Sequence, residues 1–145
     1  MSRLWLVSAC LAGVACRYDG TAVPCDAVRE LVRQGRALPV CPEQLGGLPT
    51  PRPPAELVGD RVRTRQGQDV TEAFARGAEE ALRLALDAGC VGAVLKARSP
   101  SCGRGRVYDG TFSGVLRPGH GLFAALLLAH GFIVHTEEDV ALPDT

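Results

Sequence analysis

The chain has 145 residues, of which 46% are hydrophobic, so it is long enough to bury a core of its own. Acidic and basic residues balance at 16 each, which argues against a bulk electrostatic field for DNA, a large RNA or an anionic membrane. No apolar run reaches the roughly 18 residues of a membrane span. We expect a single domain over residues 1–145 and no membrane partner.

The cysteine content and the N-terminal segment bear on the cellular compartment. Six cysteines could form three disulfides, but disulfide-dense chains are usually short, loop-rich and secreted. The segment LWLVSACLAGVAC superficially resembles an export signal, yet only Arg3 precedes it as a basic residue, and cleavage at Cys10 would leave too short an apolar region. A reduced, cytoplasmic protein is the better interpretation.

Short apolar runs alternate with helical patterns along the chain. Buried strands are predicted over residues 4–9, 37–40, 90–96 and 132–135. A first helix has Pro24 in its first turn, an inner face of Val28, Leu31 and Val32, and its end at Gly35. A second helix begins at a cap, either Asp69 or Thr71, and ends at Gly89. Its inward-facing residues are Val70, Phe74, Ala78, Ala81, Leu82 and Ala85. A third spans residues 121–130 before Gly131.

This order implies an α/β chain with a Rossmann-like, three-layer fold and a mainly parallel sheet, joined by right-handed crossovers. Residues 57–65 interrupt the alternation as an extended excursion or edge hairpin, with its turn at Gly59 and Asp60. Residues 46–54 (GGLPTPRPP) contain four prolines, which exclude a helix or a central strand. A surface linker and a functional loop over the sheet edge are both open for this segment.

A short motif occurs twice. Tyr18-Asp19-Gly20-Thr21 is repeated as Tyr108-Asp109-Gly110-Thr111, each copy a few residues beyond a cysteine. Asp-Gly is ordinary turn chemistry, so coincidence is one explanation. The other is that both turns line the same crevice from either side.

Three cysteines lie just past apolar runs: Cys10 closes LWLVSAC, Cys41 closes ALPVC, and Cys102 follows VGAVLKARSPSC. Loops at the carboxyl ends of parallel strands converge on one crevice, so these thiols can meet there. The paired spacings of structural zinc sites and the compact ferredoxin spacings are absent. The pattern therefore predicts a metal site of separate cysteines and leaves the metal open.

The flanking residues support this prediction. Glu43 follows Cys41 closely, and Gly103 follows Cys102 and lets the backbone approach a bulky inorganic ligand. Basic side chains could offset the charge of three thiolates; the candidates are Arg17, Arg52, Arg98 and Lys96, the only lysine. Each arginine on its own is more often a partner in a surface salt bridge.

Longer blocks of the sequence resemble a known family. SACLAGVACRYDG, PVCPEQLGGLPTPRPPAE, DVTEAFARGAEEAL and LKARSPSCGRGRVYDGTFSG are similar, in the same order, to the signature blocks of a bacterial domain-of-unknown-function family that includes the thiouracil desulfidases. The resemblance runs from about residue 4 to residue 135. Some relatives carry an extra C-terminal domain, and this chain corresponds to the short form.

The resemblance implies a 4Fe–4S cluster held by Cys10, Cys41 and Cys102, with one iron left without a protein ligand. That open iron would bind the sulfur of a thiolated pyrimidine and act as a Lewis acid in a non-redox desulfuration of thiouracil to uracil and hydrosulfide. Glu43 matches the family's acid/base carboxylate. Ser99 best matches its catalytic serine, with Ser101 as a second candidate. Iron–sulfur assembly machinery would load the cluster.

Other interpretations remain open at this point. A non-enzymatic iron–sulfur or sulfide carrier would need neither Glu43 nor Ser99. A cofactor-free thiol enzyme with Cys102 as nucleophile would need a base from His120, His130 or His135, none of which carries a pairing motif. Cys25 and Cys90 are expected to pack in the interior, while Cys16 is ambiguous because it lies near Cys10 and the first Asp-Gly turn.

Overall fold

The centre of the protein is a parallel sheet that places three cysteine-bearing loops at one edge. A computed structural model describes residues 3–139. The sheet strands are β1 (Trp5–Ser8), β2 (Ala37–Val40), β5 (Gly92–Leu95) and β8 (Ile133–Thr136). Their spatial order is β2-β1-β5-β8, and every neighbouring pair is parallel. The direction of winding reverses between β1 and β5, which is where ligands of such sheets collect.

Helices cover both faces of the sheet. On one face lies α1 (Asp26–Arg33), which packs Val28 and Leu31 against β1 and a short 3₁₀ helix (Ala9–Ala12). On the other face, α3 (Thr71–Asp87) and α4 (Leu122–Ala129) share the larger core with alternate residues of the strands. The expected three-layer, Rossmann-like α/β fold with a mainly parallel sheet is confirmed.

A fourth helix, α2 (Pro42–Leu45), follows β2 directly and packs on α3 through two glycines. A Cβ added to Gly77 would overlap the carbonyl oxygen of Pro42, and one added to Gly46 would overlap that of Ala73. The two backbones therefore touch, which only glycine permits. This contact fixes the position of the segment that carries Cys41 and Glu43.

Two antiparallel hairpins stand above the carboxyl edge of the sheet. The first is β3 (Ala55–Val58) with β4 (Arg61–Thr64), and the second is β6 (Arg106–Tyr108) with β7 (Leu116–Pro118). They share a small apolar core whose buried members are Leu57, Val62, Phe74 and Val107. Because the hairpins project from this core, they form the far wall of any crevice at the sheet edge.

Most sequence predictions of elements are confirmed, and a few are wrong. The four predicted strands and three predicted helices are present with bounds that agree to within about two residues, and residues 57–65 do turn back as a hairpin. The α3 cap position is Val70, between the two candidates, while the Asp69 carboxylate accepts the Thr71 N–H at 2.9 Å. Val32 is 39% exposed and Pro24 precedes α1, so both assignments were wrong. Among residues 3–139, no helix is long and apolar enough to cross a membrane.

Candidate functional site

A cavity of about 560 Å³ opens at the carboxyl ends of β1, β2 and β5. Its sheet-side wall includes the three predicted cysteines, which reach it from three separate segments, as the strand-end argument anticipates. The cysteines on the wall are Cys10, Cys16, Cys41 and Cys102. Residues 48, 49 and 52–54 also line it, so the proline-rich segment is a cavity wall and not a distant linker.

Backbone hydrogen bonds hold each predicted cysteine in place. Cys10 lies in the 3₁₀ helix after β1, and its carbonyl accepts the Val23 N–H at 3.0 Å. Cys41 is the cap residue of α2, and its carbonyl accepts the Leu45 N–H at 3.0 Å. The N–H of Cys102 donates to Ser99 Oγ at 2.7 Å. The three sulfurs therefore belong to ordered turns that the sheet and its helices support.

Cys16 is the cysteine whose place sequence reasoning left open. It is 2% exposed, and its thiol lies between those of Cys10 and Cys41. Its carbonyl oxygen accepts the Arg52 Nη2 at 3.0 Å and faces the Cys41 Sγ at 3.8 Å. A hydrogen bond with the Cys10 thiol is the main reason that the pKa of Cys16 rises to about 11. The only sequence signal for this place was its proximity to Cys10 and to the first Asp-Gly turn.

Two other cavity thiols, those of Cys41 and Cys102, also have raised pKa values. The hydrogen bond with Cys16, followed by burial, raises the pKa of Cys41 far above its usual range. Burial raises the pKa of Cys102 to about 12, against the opposite effect of the Ser8 and Ser101 hydroxyls beside it. The negative charge of Glu43 contributes to both increases. The thiols of Cys16, Cys41 and Cys102 are therefore protonated at neutral pH, and a metal centre bound to any of them would displace its proton.

Glu43 faces the cavity as half of a shielded ion pair. Arg52 contacts the same carboxylate oxygen, Oε2, with Nε at 2.7 Å and Nη2 at 2.5 Å. The Arg52 side chain is only 5% exposed and also donates to Thr50 Oγ1 at 2.9 Å. Both Arg52 contacts fall on Oε2, which leaves Oε1 without a contact to this arginine. The arginine also fixes the orientation of the carboxylate.

The two candidate serines have different places. Ser99 lines the cavity, and its oxygen accepts the Cys102 N–H, which leaves its own hydroxyl proton for a second hydrogen bond. Ser101 is fully buried, and its carbonyl accepts the N–H groups of Phe123 and Ala124 at the start of α4. Within residues 3–139 its hydroxyl has no hydrogen-bond partner. Position favours Ser99 as the residue that meets a ligand.

Gly103 makes a close backbone contact next to Cys102. A Cβ at this position would come within 2.7 Å of the Ser99 carbonyl oxygen. Gly103 therefore allows the tight turn that presents Cys102, with its N–H donating to that same oxygen at 2.9 Å. This backbone contact accounts for the glycine, and its expected approach to an inorganic ligand stays a prediction.

Of the four cations expected to offset thiolate charge, three are paired with carboxylates. Arg52 binds Glu43, Lys96 binds Glu137 at 2.8 Å, and Arg98 binds Glu138 at 2.7 Å. Arg17 lines the cavity beside Tyr18, and within residues 3–139 it has no carboxylate at ion-pair distance. The salt-bridge alternative is therefore confirmed for Arg52 and Arg98, and Lys96 is paired as well, so the sheet-side wall has little excess positive charge.

The histidines lie outside the cavity wall. His120 Nδ1 accepts the Gly105 N–H at 2.9 Å, His130 Nδ1 lies 3.0 Å from the Leu126 carbonyl oxygen, and His135 Nδ1 lies 3.0 Å from Asp139 Oδ2. A thiol enzyme with Cys102 as nucleophile would need a histidine beside the sulfur. The described residues provide none there.

The donor set fits an iron–sulfur cluster better than a single ion. Among residues 3–139, no three cysteine, histidine or acidic side chains converge closely enough to hold one metal ion. A cluster is bulkier than one ion, and cysteine thiolates are its normal ligands. Four cysteines on one cavity wall supply such ligands, and the Ser8 hydroxyl beside Cys102 can donate a hydrogen bond to its sulfur.

Comparisons with known proteins agree with this donor set. The family model described as 2-thiouracil desulfurase matches residues 5–139. The uncharacterized protein YbbK of Bacillus subtilis (strain 168) is 41% identical over 145 residues, covering 93% of this chain and 96% of YbbK. A solved structure of the 4Fe–4S-dependent thiouracil desulfidase TudS has a TM-score of 0.91 and 50% sequence identity, covering 96% of this chain and 93% of that one.

Proposed function

Because this chain belongs to the 2-thiouracil desulfurase family, we propose that it is an enzyme that removes sulfur from a thiolated pyrimidine with the help of a 4Fe–4S cluster. The observation that carries the proposal is the meeting of Cys10, Cys41 and Cys102 with Glu43 and Ser99 on one cavity. In the overall reaction, thiouracil and water give uracil, hydrosulfide and a proton. No electron is gained or lost, so no redox partner is needed.

Cys10, Cys41 and Cys102 would hold the cluster and leave one iron without a protein ligand. The cluster, when bound, supplies a Lewis-acidic iron that polarises the carbon–sulfur bond of the substrate. Cys16, although it lies between two of these ligands, is assigned no ligand role. Its thiol instead donates a hydrogen bond to a neighbouring sulfur, an interaction that stabilises thiolate ligands.

Glu43 is proposed as the acid and base. Arg52 holds Oε2, so Oε1 takes the proton of the attacking water and later delivers it to the departing sulfur. Ser99 donates its hydroxyl proton to the edge of the pyrimidine or to the water, because its oxygen already accepts the Cys102 N–H. Ser101 is the alternative serine, but its burial favours a structural contribution beside Cys102.

The test is anaerobic purification and reconstitution, with iron and sulfide analysis and an assay of sulfide release from 2-thiouracil and 4-thiouracil. We expect the wild type to bind iron and release sulfide, and Cys10→Ala to lose both the visible absorption and the activity. Cys16→Ala is the matched control, since it removes a neighbouring thiol of equal size, and it should keep the cluster. A loaded protein that released no sulfide from either substrate would favour the carrier hypothesis instead.

The cellular setting is part of the same proposal. All six cysteines are free thiols in the structure, which suits a reducing compartment, and we place the protein in the cytoplasm. Iron–sulfur assembly machinery would be its partner for cluster loading. The balanced charge supports a small-molecule substrate over DNA.

A further inference from the structure

The far wall of the cavity contains a strained aromatic residue that takes no part in the proposed chemistry of the cysteines, Glu43 and Ser99. Two non-glycine residues among 3–139 have a left-handed φ, namely Arg98 at 72° and Phe112 at 56°. A bulky side chain rarely adopts this conformation, because its Cβ approaches the backbone too closely. Such strain persists only where the surroundings impose it, and it concentrates at functional positions.

A buried carboxylate imposes the conformation of Phe112. Glu56 in β3 is 9% exposed, and its Oε1 accepts the N–H of Gly110 at 3.0 Å and that of Phe112 at 3.1 Å. Gly110 lies so close to the Leu57 carbonyl oxygen that an added Cβ would come within 2.6 Å of it. Burying a charge to hold one turn is costly, which indicates that the position of this turn matters.

Further hydrogen bonds in the same turn also hold Phe112 in place. Thr111 donates its N–H and its hydroxyl to Asp109 Oδ1 at 3.0 and 2.6 Å, and the Thr111 and Ser113 hydroxyls are 2.5 Å apart. The Arg65 guanidinium lies over the Phe112 ring, 5.6 Å from its centroid. Both the backbone and the ring are therefore held in one place.

The ring held in this way lines the same cavity as Cys41, Glu43 and Cys102. On the sheet side, polar groups can address the edge of a planar substrate. Four aromatic side chains line the cavity, Tyr18, Phe74, Tyr108 and Phe112, and only Phe112 among them has a left-handed φ. Any pyrimidine has an aromatic face, and stacking on a protein ring holds a base without regard to its substituents. An aromatic wall opposite the cysteines would orient the ring while the sheet-side groups act on its carbon–sulfur bond.

We infer that Phe112 is the stacking wall for the pyrimidine ring of the substrate, and that Glu56 is a positioning residue that holds it there. This inference rests on the proposed function for the identity of the ligand. It assigns a role in binding and orienting the substrate ring to the second hairpin, separate from the chemistry of the cysteine wall.

The experiment measures two quantities on the cluster-loaded protein: KM and kcat for 4-thiouracil, and the dissociation constant of uracil, the product, by calorimetry. Phe112→Ala should weaken uracil binding and raise KM by roughly 5- to 100-fold, the range that base–aromatic stacking provides. The change in kcat should be smaller, and iron content should stay at the wild-type level. Phe112→Tyr should restore both constants to within a few-fold.

Two further variants separate the ring from the turn. Phe112→Gly removes the ring but suits a left-handed φ, so it should bind uracil as weakly as Phe112→Ala if stacking is the role. A purely structural role would leave Phe112→Gly with wild-type affinity and would overturn the inference. Glu56→Gln should shift the same constants in the same direction, and Val115→Ala, an exposed change in the same hairpin, should shift neither.

The two proposals can fail separately. If the wild type releases sulfide but Phe112→Ala binds uracil and 4-thiouracil normally, the stacking inference is wrong and the proposed function stands. If the loaded wild type releases no sulfide while uracil binding still depends on Phe112, the desulfidase proposal is wrong and the aromatic wall stands.

Discussion

The two walls of the cavity are built in different ways. The sheet-side wall consists of strand ends and short helical turns that continue directly into the main core, and its cysteines are buried or half-buried. The hairpin wall stands on a small core of its own and owes its shape to side-chain carboxylates, Glu56 and Asp109, that hold a turn. Chemistry that needs fixed distances belongs on the first wall, and recognition that tolerates adjustment belongs on the second.

The largest effect that we expect is on kcat, when Glu43, the proposed acid and base of the sheet-side wall, is replaced. Glu43→Gln keeps an acceptor for Arg52 but cannot transfer a proton. We expect kcat for sulfide release to fall by roughly 10²–10⁴-fold, the usual contribution of a positioned general acid or base, with KM within a few-fold. The measurement is steady-state sulfide release, normalised to iron content.

Glu72→Gln is the matched control, because Glu72 is an exposed glutamate in the first turn of α3. It should leave both constants unchanged. An unchanged kcat in the loaded Glu43→Gln protein would show that Glu43 on the sheet-side wall does not supply the proton. The assignment of catalysis to this wall and of recognition to the hairpin wall would then be wrong.

The next effect concerns the anchoring of the sheet-side wall. Gly77→Ala places a Cβ against the Pro42 carbonyl oxygen, so α2 must move away from α3. We expect a net loss of about 1–3 kcal/mol in the free energy of unfolding, typical of overpacking, although alanine favours a helix over glycine by about 1 kcal/mol. Iron content should fall as well, because α2 carries Glu43 and begins at Cys41.

Urea unfolding of the purified protein measures this change, and Glu79→Ala on the exposed face of the same helix is the control. That variant should stay within about 0.5 kcal/mol of the wild type. If Gly77→Ala were more stable than the wild type, helix propensity alone would govern the site, and the backbone contact between α2 and α3 would not anchor the wall.

The same contrast explains what the sequence could and could not predict. The sheet side was predictable, because buried parallel strands read as continuous apolar runs and their carboxyl ends must share an edge. Cys10, Cys41 and Cys102 could therefore be brought together from pattern alone. The place of Cys16 depends on the path of an irregular loop, which hydrophobic periodicity does not encode.

The hairpin side was harder to predict, since long-range side-chain contacts define it. The second hairpin has strands of three residues, too short to show an alternating pattern. Glu56 reaches a turn more than fifty positions away, and nothing near it in the chain indicates this. The pairing of Lys96 with Glu137 escaped prediction for the same reason. The roles of the site residues and the single domain over residues 1–145 stay predictions.

The repeated Tyr-Asp-Gly-Thr motif joins the two walls. Tyr18 and Tyr108 both line the cavity, which favours the second of the two explanations, that both turns border one crevice, over coincidence. The aspartates make the same contacts, since Asp19 Oδ1 accepts the Thr21 N–H at 3.1 Å and its hydroxyl at 2.6 Å, matching Asp109 and Thr111. In both turns the threonine hydroxyl is the main cause that lowers the pKa of the aspartate.

The smallest expected effect distinguishes the two copies. Backbone hydrogen bonds also hold the first turn, among them Arg52 N–H to the Tyr18 carbonyl at 2.7 Å and Arg17 N–H to the Thr21 carbonyl at 3.1 Å. The second turn depends more on carboxylates and leads directly to Phe112. Asp109→Ala should therefore raise the KM for 4-thiouracil a few-fold, while Asp19→Ala should change it by less than about twofold, since its turn keeps its backbone support.

Measuring both variants at equal iron content separates the effect of the turn from any loss of the cluster. Equal changes in KM for the two variants would contradict this comparison. They would show that losing the aspartate disturbs the backbone-supported first turn as much as the second turn, and that the two walls hold the substrate in the same way.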